Sequence, residues 1–98
     1  MTDIEALAVA IRKAHGCDAT HTASVPLVET FRGATVWAGV VEVFTIRHPE
    51  ASTCYAWSYD GDRERQYVTV LGKPPITTPQ RAVQAHIAGA ARRAKQTP

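Results

Sequence analysis

Apolar positions along this chain change period twice, first from helical to strand spacing and then back again. At the start Ile4, Leu7, Ala8, Ile11 and Ala14 recur at the 3.6-residue spacing of one helix face. Thr2 precedes this stripe and Glu5 follows it by three residues, a capping box in which each side chain satisfies an amide left open at the helix start. Arg12 and Lys13 complement the dipole at the far end, and Gly16 supplies the stop. The pattern predicts a helix over residues 3 to 15.

From Thr20 onward β-branched and aromatic residues dominate, and turn residues cut them into strand-length pieces. Four strands are predicted, at about residues 24–31, 35–47, 53–59 and 65–71. Pro26 assigns the first to a sheet edge, because proline cannot donate to an interior ladder. The second carries apolar residues on both faces, so it is predicted to be central, or bulged near Gly39. Arg32-Gly33-Ala34 and Asp60-Gly61 are the predicted hairpin turns, the latter with both residues tolerant of positive φ. Gly72-Lys73-Pro74-Pro75 then breaks the sheet pattern. Thr78 is an N-cap with Pro79 at the first helical position, and Val83, Ile87, Ala90, Ala91 and Ala94 form a narrow face running to about Lys95.

The predicted class is α+β in the order α-β-β-β-β-α: one domain over residues 1–98 with a short flexible tail from about 96. It is a two-layer sandwich in which both helices lie on one face of an antiparallel sheet. If the Pro26 segment is a loop, the order becomes α-β-β-β-α, which resembles double-stranded-RNA-binding domains in element order. Their second helix opens with a lysine cluster that contacts phosphates. Gln80-Arg81-Ala82 stands at that point here, so the resemblance carries over only to Arg81 and Lys73. Three stretches also resemble a group of small proteobacterial proteins of unassigned function: Trp37 to Phe44, His48 to Trp57 and Pro74 to Ile87. That likeness implies a bacterial, cytoplasmic protein and no particular chemistry.

Composition narrows the function classes. With 98 residues and 45% hydrophobic content, the chain is long enough for one core and leaves little room for a deep cofactor pocket. No cofactor is expected. The opening Met1-Thr-Asp-Ile-Glu predicts no secretory signal, and no apolar run approaches the roughly 18 residues of a membrane span. Cys17 and Cys54 are too few for a disulfide framework and fit a reduced, cytoplasmic setting.

The net charge of +2 conceals an asymmetry. Through Glu64 there are five Lys/Arg and all nine acidic residues, a net −4; from Arg65 onward there are six Lys/Arg and no acid, a net +6. Arg65, Lys73, Arg81, Arg92, Arg93 and Lys95 are therefore the candidate nucleic-acid contacts, with phosphates met at the start of the second helix. The competing reading is a helix C-terminus and tail that are simply solvated.

A second candidate surface is aromatic. Tyr55, Trp57 and Tyr59 alternate on one side of the third strand, with Tyr67 and Trp37 on neighbouring strands. Left open, Trp37, Tyr55, Trp57 and Tyr67 would offer a stacking platform or a seam with a second copy or another protein. Covered by the helices, the row is core. His15, Cys17, His21 and Cys54 could ligate zinc only in a spacing unlike the known knuckles, so no metal is expected. Cys54 with His48, or Cys17 with His15, lacks an orienting third group, so enzymatic chemistry is not expected. The expectation is a binding module, engaging nucleic acid or, alternatively, protein.

Overall fold

The computed structural model describes residues 2–96 of the chain and the side chains of residues 2–90. Six elements follow one another: α1 (Asp3–His15), β1 (Ala19–Phe31), β2 (Ala34–His48), β3 (Ala51–Asp60), β4 (Arg65–Leu71) and α2 (Pro79–Gln96). The class is the predicted one, α+β with a four-stranded antiparallel sheet, and the spatial order β1-β2-β3-β4 is a simple meander. Pro26 lies within β1, an edge strand, so the element order has four strands and not three.

Both helix starts form as the capping chemistry dictates. The Thr2 hydroxyl accepts from the Glu5 amide at 3.1 Å, and the Thr78 hydroxyl accepts from the Arg81 amide at 3.2 Å. At the end of α1, Gly16 adopts φ 72° and donates its amide to the Arg12 carbonyl. The β1–β2 turn is a tight one in which Arg32 (φ 53°) and Gly33 (φ 80°) both take positive φ, matching the twist of the flanking strands.

Two local expectations are refined. Asp60-Gly61 opens the β3–β4 turn, but neither residue takes positive φ there. Residues 61–64 form a longer loop closed by the Gly61 amide on the Glu64 carbonyl at 2.9 Å, and Gly61 is needed there because a Cβ would sit 2.7 Å from that carbonyl oxygen. The second strand is bulged near Gly39 but not at it: its pairing passes from Glu29↔Trp37 to Thr30↔Thr35 and leaves Val36 as the extra residue, with further register shifts at His21/Ala23 and Thr45/His48. Gly39 instead lies beneath the Trp37 ring, whose nearest carbon would be 3.2 Å from an added Cβ.

The core divides along β3. Cys54 and Ala56 join Phe44 and Ile46 of β2 against Leu7 and Ile11 of α1. Tyr55 and Trp57, which alternate with them, join Val41 against Ala82 and Val83 of α2. Each face of β3 therefore has its own helix, where the sequence reading let both lie over one. The physical reason is the absence of any charged side chain from residues 53–57: neither face of that segment is suited to water, and one helix can cover only one of them.

Pairing between β2 and β3 runs from His48↔Ala51 to Glu42↔Ala56 and stops. Before Glu42 the first half of β2 pairs with β1 alone, while Trp57 to Asp60 of β3 pair with β4 alone. The two hairpins splay apart at this point. Trp37 and Trp57 meet edge to face across the split with centroids 5.7 Å apart, and His86 of α2 meets Trp57 in the same way at 5.5 Å. Trp57→Ala should lower stability by about 3–5 kcal/mol in urea unfolding followed by circular dichroism, whereas Phe31→Ala at the exposed hairpin tip should cost less than about 0.5 kcal/mol.

Candidate functional site

The candidate basic residues do not converge. Arg65 opens β4 and is held by carboxylates, 2.7 Å from Asp60 and 3.1 Å from Asp3, with a further bond to the Ser58 hydroxyl. The Asp60 hydrogen bond, aided by Asp3, raises its pKa still further. Lys73 follows the other end of β4, roughly 25 Å away along an extended strand, and pairs with Glu50 at 2.7 Å. That hydrogen bond and charge lower the Glu50 pKa. Arg81 is exposed in the first turn of α2. The side chains of Arg92, Arg93 and Lys95, and the tail after residue 96, lie outside the described residues.

The aromatic candidates separate as well. Tyr55 and Trp57 are core, and burial pushes the Tyr55 hydroxyl pKa up. Trp37 is half-buried against Trp57. Tyr67 is exposed on the opposite side of the sheet, beside Ala6, Val9 and Ala10 of α1. No continuous stacking platform is formed by these four residues.

Polar chemistry gathers in two places. At the end of α1, His15 Nε2 and Thr69 Oγ1 are hydrogen-bonded at 2.9 Å, and the His48 ring stands edge-on to His15 at 6.3 Å. Burial, then the neighbouring His48, lowers the His15 pKa from its ordinary 6.5. Between β1 and β2, the His21 Nε2–H donates to Glu42 Oε1 at 2.9 Å, and the Ser24 hydroxyl bonds to the same carboxylate oxygen. Ser24 and Glu42 meet the same ring nitrogen, so nothing orients the imidazole from behind as a nucleophile–base pair requires. Among the described residues no group of three or more His, Cys, Asp and Glu side chains is placed to hold a metal ion. Cys17 and Cys54 are free thiols, and burial pushes the Cys54 pKa up to about 11, the opposite of what a nucleophile needs.

What the structure does expose is the splayed β1–β2 arm. Val28 (63% exposed), Phe31 (62%), Val36 (48%) and Val40 (46%) all belong to it. Along its inner edge, residues 34–41 of β2 have no strand-pairing partner on the β3 side among the described residues, and all but Trp37 and Val41 are exposed. The segment reads Ala-Thr-Val-Trp-Ala-Gly-Val-Val, with no charge and no proline. Such an edge is a ready template for another strand. Sequence reasoning missed it by treating β2 as central throughout. The available signal was length, since a strand of 15 residues outruns its 10-residue neighbour.

Where β2 and β3 part, a groove of about 410 Å³ opens, with Asp3, Ser24, Glu42, Ser58 and Arg65 in its walls. On the other side of the arm a more apolar hollow of about 390 Å³ lies between Phe31, Val36, Ile87 and Ala88. No helix among the described residues is long and apolar enough to cross a membrane. Comparison with protein-family models, with curated proteins and with solved structures finds no match to the chain.

Two outcomes follow from the titratable groups. Because the His15 pKa is lowered on folding, the unfolded chain takes up that proton first as the pH falls. Stability should therefore decline as pH drops from about 7 through 6.5, and the urea midpoint of His15→Gln, which keeps a hydrogen-bonding group towards Thr69, should decline less over the same window. Iodoacetamide at mildly alkaline pH should alkylate half-buried Cys17 and spare Cys54 until urea unfolds the chain, as read by intact mass.

Proposed function

We propose that this chain is a non-enzymatic binding module of the bacterial cytoplasm that receives an extended polypeptide segment along the open edge of β2. The observation that carries the reading is the run of residues 34–41, unpaired on one side and free of the charges and prolines that ordinarily blunt such an edge. Main-chain hydrogen bonds would supply affinity, and Ala38 and Val40, which share a face beyond the bulge at Val36, would read side chains of the incoming strand. The other edges have different protection. β1 carries Pro26, and β4 lies against α1, with the His15–Thr69 bond between them.

Phosphate binding has less behind it. Of the basic candidates whose side chains are described, Arg65 and Lys73 already neutralise carboxylates at opposite ends of β4, which leaves Arg81 as the exposed cation at the start of α2.

The reading is tested by amide NMR of the labelled chain during addition of a synthetic octapeptide of alternating threonine and valine flanked by lysines. Shifts and slowed exchange confined to residues 34–41 and the strand beside them are expected. Parallel titrations with short RNA and DNA duplexes supply the opposing result. Salt-sensitive shifts at Arg65, Lys73 and Arg81, with the 34–41 amides unmoved by peptide, would overturn it in favour of nucleic-acid binding.

A further inference from the structure

The bulge in β2 turns two consecutive residues towards the same helix. Regular alternation sends neighbours in a strand to opposite faces of the sheet. Trp37 packs towards α2, in the cluster built on Trp57, Ala82 and Val83, yet Val36, the residue before it, lines a hollow with Ile87 and Ala88 of that helix. The pairing with β1 slips here, from Glu29↔Trp37 to Thr30↔Thr35, and the extra residue is the one that is re-aimed. The side chain of Val36 thereby becomes one wall of the hollow of about 390 Å³, and Phe31, beyond the slip on β1, becomes another.

Glu29 stands opposite Trp37 in the ladder and shares its face. Two residues earlier on that face Leu27 packs into the α2 cluster, so an apolar side chain would suit position 29 as well. A carboxylate is found there. It borders the hollow, and its Oε1 is buried without a hydrogen-bond partner among the described residues. A buried acceptor left unpaired destabilises the fold, and a donor arriving through the hollow would satisfy it. The walls set what can carry that donor. Phe31, Val36, Ile87 and Ala88 are apolar, and besides Glu29 the polar side chains in the lining are Thr30 and Gln84. A ligand matched to this place has an apolar body and one positively charged N–H group. A lysine side chain would bring a polar main chain with it, for which the apolar walls hold few partners; a small amine brings none.

We propose that the hollow between the β1–β2 arm and α2 is a binding site for a small apolar primary amine, held with its ammonium group on Glu29 and its alkyl or phenyl body against Phe31, Val36, Ile87 and Ala88. The ammonium group donates to the unpaired Oε1 in a charge-assisted hydrogen bond, and the body leaves water for the apolar walls. Strand pairing at the open edge of β2 uses backbone groups in the plane of the sheet, so occupation of one site does not require the other.

Amide NMR of the labelled full chain at neutral pH tests this, with phenethylamine as the probe. Saturable shifts clustered on Glu29, Phe31, Val36, Ile87 and Ala88 are expected. Phenylpropionate, which has a similar body and the opposite charge, and methylamine, which has the charge without the body, should each bind at least about tenfold more weakly. Glu29→Leu should lose the amine and at the same time raise the urea midpoint of the free protein, because it removes the unpaired acceptor from the helix-facing side. Ala88→Phe, at an exposed position in the lining, should fill the hollow and block binding with the far-ultraviolet circular dichroism unchanged. Absence of saturable shifts with phenethylamine overturns the proposal, and if the amide of N-acetyl-lysine moves these residues instead, the occupant is a polypeptide side chain. Equal binding of phenylpropionate overturns it too, since the carboxylate then selects nothing. So does amine binding that survives both variants, or a urea midpoint lowered by Glu29→Leu, which would assign the carboxylate to the fold.

Discussion

Trp57 stands where two incompatible demands meet. β3 pairs with the whole of β4 through Cys54 to Asp60, yet its partner β2 leaves it beyond Glu42↔Ala56. The space between them on one side of the sheet is filled by the Trp57 and Trp37 rings, closed over by His86, Ala82 and Val83 of α2. With large rings in that place the hairpins can diverge without opening a void, and packing density is kept. α2 needs the rings as its floor. Removing them would leave the alanine-rich face of that helix with nothing of suitable size to meet. The cost is visible in the Trp57 indole N–H, which is buried without a hydrogen-bond partner among the described residues.

The opposite face obeys a different logic. There α1 rests on the small Cys54 and Ala56 of β3, with Phe44 and Ile46 of β2 beside them, and is fastened by polar contacts at both ends. Arg65 ties its first turn to the β3–β4 hairpin through Asp3, and Thr69 receives its last turn through His15. Large residues towards α2 and small residues towards α1 thus let one strand serve two helices at different distances. Charged residues are left to the rims, where Arg12–Asp18 and Lys73–Glu50 are well hydrated and contribute little to stability.

Helix capping was legible in the sequence. Thr2, Gly16, Thr78 and Pro79 set the helix limits because capping is decided by neighbours a few residues away. Pro26 was placed correctly at an edge for the same reason. The assignment of helices to faces was harder to read, since it depends on what each side chain of β3 meets across 25 or more residues of chain. The split between hairpins was less legible still. It arises from two tryptophans, 20 positions apart, whose packing no spacing rule connects. The basic third was visible as a run of like charge, but its partners, Asp3, Glu50 and Asp60, come from the acidic part and are found only once the chain is folded.

The placement of α1 has a consequence for how the chain is made. This helix is synthesised before all four strands, carrying an apolar face built on Leu7 and Ile11, and the strand residues Phe44, Ile46, Cys54, Ala56 and finally Leu71 of its core cluster arrive later. Its tethers, Arg65 and Thr69, emerge more than 50 residues after it. During synthesis α1 must wait exposed while the β1–β2 arm, whose contacts are local, forms ahead of it. The earliest made of the six elements is thus among the last to be locked in place.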